Sequence, residues 1–134
     1  MTDAELVRGF EAATLAEFPH AGHVRVAWWY VTHEPLLVAI ARMRAGLQRF
    51  AAAKGKPERY HETITIAFVL LVADRWRDGE AWDAFAARNP ALLRWPCPAL
   101  TRLYPADVLD SARAREVFVA PAGDAPPDSS APKR

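Results

Sequence analysis

The chain has four histidines, and two of them stand three residues apart in "PHAGHVRVAWWY", at His20 and His23. On a helix, residues i and i+3 share a face, so two imidazoles at this spacing can reach toward one point. A third, His61, heads the apolar run "YHETITIAFV". Three neutral imidazoles around one point suit Zn²⁺ or Fe²⁺. An open fourth position would hold a water and lower its pKa, which permits hydrolysis or hydration chemistry. Carboxylates are at hand as a fourth ligand or a base. Glu58 lies one turn before His61 on the same side, and Glu62 adjoins it but points about 100° away. Glu17 ends the first expected helix at the same end. Tyr60, Thr63 and Thr65 flank His61 and can steady the ligands by hydrogen bonds.

Hydrophobic periodicity supplies the elements that must position these groups. Thr2 and Glu5 have capping-box spacing and begin a first helix that Pro19 ends. A second helix is predicted over His20 to His33, with Val24, Ala27, Trp28 and Val31 on one face. Pro35 suits the first position of a third, whose stripe is Leu36, Ile40, Met43, Leu47 and Phe50. "KGKP" stops it. A fourth helix is expected from Pro57 to Arg77. Its "TITI" alternates like a strand, but the length of the run and the bounding Pro57 and Gly79 favour a helix. It is apolar almost all round and belongs at the centre. "EAWDAFAARNP" gives a short fifth helix with Trp82 and Phe85 inward. Residues 91 to 105 read as irregular chain with a turn or two of helix. A last helix covers Ser111 to Phe118, capped by Ser111. The fold class is therefore all-α, a single-domain bundle of five to six helices with short links. Up-down alternation brings the starts of the second and fourth helices, and with them His20, His23 and His61, to one end. His33 lies about 15 Å further along its helix and outside this group.

Bulk properties narrow the function classes. At 134 residues the chain is one domain, expected to fold over 1–120, with a Pro- and Ser-rich disordered tail over 121–134. A net charge of +1 and scattered arginines offer nothing for nucleic acid or a membrane surface. The longest apolar run is about half a bilayer span, the first ten residues are no secretory signal, and the lone Cys97 allows no internal disulfide. A cytoplasmic protein is expected. No Gly-rich phosphate loop, dinucleotide fingerprint or Gly-x-Ser-x-Gly elbow occurs.

The segments "FPHAGHVRVAWWYV", "YHETITIAFV", "NPALL" and "SARAREVFVAP" resemble a family of small bacterial proteins of unknown function. Its members share His-x-x-His followed by Ala-Trp, then Tyr-His-x-Thr-x-Thr. The resemblance runs from Phe18 to Pro121. It implies that His20, His23, Tyr60, His61, Thr63 and Thr65 belong to the distinctive motifs, and it implies no particular reaction.

Three functions stay open on the residues alone. In the first, a metal-dependent enzyme acts on a small molecule, with His20, His23 and His61 as ligands and Glu58 or Glu62 as base. In the second, a non-catalytic binding or interaction protein uses these histidines as structural hydrogen-bonders. In the third, the histidines are acid–base groups for an organic substrate without a metal. Trp29 lies opposite the core face of its helix and, if exposed, would mark a partner surface or a homodimer interface. Cys97, between two prolines, reads as a small apolar residue in a stiff loop rather than a nucleophile.

Overall fold

The computed structural model describes residues 1–121, and the tail expected beyond Pro121 lies outside the described residues. Helices account for every regular element described, and no strand occurs among these residues. In order they are α1 (Asp3–Ala12), α2 (His20–His33), α3 (Leu36–Ala53), a 3-10 turn (Pro57–Arg59), α4 (Glu62–Ala73), α5 (Trp82–Arg88), α6 (Pro90–Leu93), α7 (Pro98–Thr101), α8 (Ala106–Leu109) and α9 (Ala112–Glu116). The expected all-α bundle is the one observed. Its C-terminal third is more broken than five or six helices implies, because α6 to α9 are single turns spaced by prolines and short loops. Among the described residues no helix is long and apolar enough to cross a membrane.

The capping box forms as its spacing dictates. Glu5 N–H donates to Thr2 Oγ1 at 3.1 Å, and Thr2 N–H donates to the Glu5 carboxylate at 2.8 Å. Pro19 is not what ends α1. The helix stops at Ala12, and Ala13 takes a left-handed conformation with φ 57°. Its N–H and that of Thr14 then close on the last-turn carbonyls. The released segment lets Phe18 fold back under α2.

Packing centres on α2 and α4, which touch each other and α3. The buried face of α4 includes Thr63, Thr65, Ala67, Val69 and Val72, so the β-branched "TITI" is a core helix and not a strand. Two features of α3 depart from the expected stripe. Leu36 is exposed, and the fully covered positions are Ala39, Met43 and Gly46. Small residues there let α1 approach closely. A Cβ on Gly46 would meet the Phe10 ring at 2.2 Å, so only glycine leaves room for that ring. Phe10 is wholly buried and stacks toward Phe18 at 5.1 Å between centroids. Burying such a side chain contributes about 1.5–3 kcal/mol.

The fourth helix begins later than its sequence pattern suggests. Pro57 fixes only a 3-10 turn, the chain straightens at Tyr60 and His61, and α4 proper starts at Glu62. His61 is therefore a cap rather than a residue of the first turn, and the Glu58–His61 face expected on a continuous helix does not exist. That helix ends at Ala73, a turn short of Arg77. Ser111 does cap α9, accepting from Ala114 N–H at 3.1 Å.

Candidate functional site

One end of the bundle encloses a cavity of about 530 Å³. Met43, Leu47, Phe50 and Ala51 of α3 form one wall, and Ile64, Thr65 and Phe68 of α4 form the facing one. His20 and His23 open α2 onto it, with Phe18 and Trp95 beside them. Lys54, Lys56, Arg59, Tyr60, His61 and Arg115 complete the lining. Among the described residues no Asp or Glu lines it. The volume lies within the range of small-molecule sites, which are mostly apolar with a few placed polar groups.

Two of the three histidines already have backbone partners. His20 Nε2 donates to Leu92 O at 2.7 Å, with its ring between Phe68 at 5.0 Å and Trp95 at 5.2 Å. A carbonyl only accepts, so Nε2 carries the proton and Nδ1 keeps the lone pair. His61 Nε2 donates likewise to Leu109 O at 2.7 Å. Its Nδ1 accepts from Ile64 N–H at 3.1 Å and so caps α4. No lone pair of His61 remains for another partner. His23 packs on Phe18, 4.1 Å between ring centroids.

Burial holds all three rings neutral. Desolvation pushes His23 down to about 4, with the neighbouring His20 adding to the effect and the Phe18 backbone opposing it. Desolvation also lowers His20, against its bond to Leu92. The same cause lowers His61, against its bond to Leu109.

The expected metal centre is not what this geometry provides. Among the described residues no group of three or more His, Cys, Asp or Glu is placed to hold a metal ion. His20, His23 and His61 do line one cavity, but the third has spent both ring nitrogens. Neither candidate base reaches the chamber. Glu58 is exposed on the 3-10 turn. Glu62 faces α3, where Arg44 Nε donates to its two oxygens at 2.9 and 3.0 Å and Tyr60 OH donates at 2.5 Å. Burial would raise the Glu62 carboxyl, but Arg44 and Tyr60 together keep it below its ordinary value. Tyr60 in turn is driven above the normal phenol range by burial and by Glu62. Glu17, in the loop after α1, is exposed and outside the lining.

The two threonines serve the backbone. Thr65 Oγ1 donates to His61 O at 2.7 Å, one turn back. Thr63 is wholly buried. It donates to Val117 O at 2.9 Å and accepts from Val119 N–H at 3.0 Å, which holds the chain after α9 against α4. Tyr104 OH secures the same stretch through Val119 O at 2.6 Å.

Cys97 is buried and its thiol donates to Ala91 O at 3.1 Å, which is the role of a small core residue. Trp29 is half-buried against the core and stacks on His33 at 3.8 Å.

Sequence reasoning missed the basic wall. Lys54, Lys56 and Arg59 were visible in "KGKPER", where they read only as a helix stop. Arg115 joins them through tertiary packing, which no local pattern reports. No protein-family model, no curated protein and no solved structure matches the chain.

Proposed function

We propose that this protein binds a small organic molecule in the cavity between α2, α3 and α4, and that His20 and His61 are structural hydrogen-bonders there. The observation that carries this reading is the cavity itself. It is roomy, walled by aromatic and aliphatic side chains, and floored by imidazoles that burial keeps neutral. The donor set argues against a metal-dependent reaction, since His61 has no nitrogen left to coordinate an ion. The free lone pair of His20 suits it to accept a hydrogen bond from a ligand.

A neutral apolar fluorophore, N-phenyl-1-naphthylamine, tests the reading directly. Saturable one-to-one binding is expected. It should be lost in Ala51→Trp, which fills the chamber from α3, while helical circular dichroism and cooperative melting persist. Unsaturable binding, or equal affinity in the variant, would sink the proposal. Metal analysis of untagged protein provides an independent check. Stoichiometric zinc or iron that disappears in His61→Ala would restore the metal reading.

A further inference from the structure

The charge around the cavity is not that of the chain. Overall the protein is nearly neutral, with 17 basic and 16 acidic residues. Yet Lys54, Lys56, Arg59 and Arg115 all line this chamber, and among the described residues no carboxylate does. None of the four takes part in an ion pair among the described residues, although Arg25, Arg42, Arg44, Arg75 and Arg88 all do. Lys54 is anchored, donating to Ala16 O at 3.2 Å and lying 5.4 Å from the centroid of the Phe50 ring. Arg115 donates one N–H to Glu58 O at 3.4 Å and keeps the rest of its fork. Glu58 adjoins Arg59 and Glu116 adjoins Arg115 in sequence, but neither lines the cavity nor forms an ion pair among the described residues. Glu62 is already held by Arg44 and Tyr60.

Four cations with no ion-pair partner among the described residues raise the local potential, and the apolar walls beneath them focus it. Such a field favours an anion. The apolar chamber below favours a hydrocarbon or aromatic body. Arginine forks match a planar carboxylate, with charge-assisted bonds about twice as strong as neutral ones.

From this juxtaposition we infer that the ligand is a small carboxylic acid, its apolar body between α3 and α4 and its carboxylate on Lys56, Arg59 and Arg115. The inference rests on the proposal that the cavity takes an organic ligand. It adds the class of that ligand: an amphiphilic monoanion, as opposed to a neutral or cationic molecule of the same shape.

Calorimetric titration of the full chain with decanoate, decanol and decylamine separates the two claims. Decanoate should bind about tenfold or more tightly than decanol, decylamine should bind weakest, and salt should erode the decanoate advantage. In Lys56→Gln/Arg59→Gln the preference for decanoate should fall to about threefold or less. Both residues are exposed and make no side-chain hydrogen bond among the described residues, so the variant should fold, which its melting curve checks. Removing two charges elsewhere, in Arg8→Gln/Arg77→Gln, should leave the preference intact. Equal binding of decanoate and decanol would overturn the carboxylate assignment and leave the cavity reading standing. A preference that follows net charge, falling equally in both double variants, would also overturn it. If neither decanoate nor decanol binds, and the neutral fluorophore fails as well, the cavity reading itself falls.

Discussion

The two ends of the chain are held together in different ways. From α1 to α4 the structure is interlocked by apolar side chains, of which Phe10 in the hollow over Gly46 is the tightest instance. From Asn89 to Val119 the helices are single turns, and much of the attachment is by polar side chains reaching backbone carbonyls. His20 bonds Leu92, His61 bonds Leu109, and Thr63 bonds Val117 and Val119. Two residues expected as metal ligands, and one expected to steady them, are thus the fasteners of a segment too irregular to satisfy its own backbone. A buried carbonyl without a partner costs about 1–3 kcal/mol, which is the force of that arrangement.

The contrast can be broken most severely on the apolar side. Phe10→Ala should cost about 3–5 kcal/mol of unfolding free energy in urea, felt by all spectroscopic probes together. A loss below about 1 kcal/mol would mean that the Phe10–Gly46 contact is not central.

Acid should act next. Burial holds His23 near 4 in the folded chain against an ordinary imidazole value of about 6.5, so between these values the unfolded chain binds more protons. The stabilising contribution is full above pH about 6.5 and is lost as pH falls toward 4, on the order of 3 kcal/mol in all. Chemical denaturation across that window should show the slope, and His23→Leu should flatten it. An unchanged slope would place the titration elsewhere.

The polar fasteners should give smaller and more local effects. His61→Ala should cost about 1–3 kcal/mol and speed amide exchange both at Ile64 and over residues 106–117. His61→Asn should recover the cap, worth about 1 kcal/mol, and with it Ile64 protection, but not the protection of the distant segment. Recovery of both would show that the Leu109 bond carries no weight. Smallest of all, Leu37→Ser on the exposed face of α3, where that side chain is 78% exposed, should stay within about 0.5 kcal/mol of the parent.

Much of the first region was legible because periodicity reports burial. The bounds of α2, the Thr2–Glu5 box and the central place of α4 follow from residue spacing alone. The stripe on α3 is legible at Ile40, Met43, Leu47 and Phe50, but Ala39 and Gly46 carry no hydrophobic signal, yet close helix approach selects them. The start of α4 was misread because Pro57 can open either an α-helix or a 3-10 turn, and what decides is the bond from His61 to Leu109, 48 residues away. The same distance hides the site. The spacing of His20, His23 and His61 is compatible with a metal, and only the Leu109 carbonyl and the Ile64 N–H reveal that both ring nitrogens of His61 are committed to the backbone. The basic wall combines a local cluster with one arginine from α9, so half of its meaning is tertiary.

The ring of His61 has a consequence beyond either region. One nitrogen must carry a hydrogen for Leu109 and the other must lack one for Ile64, so a single tautomer satisfies both. A second proton would turn the acceptor toward a donor and set N–H against N–H at the head of α4. The start of that helix and the seating of residues 106–109 thus depend on the same lone pair. In nitrogen NMR the ring should register as a pure Nε2–H form, and loosening at either end should be reported at the other.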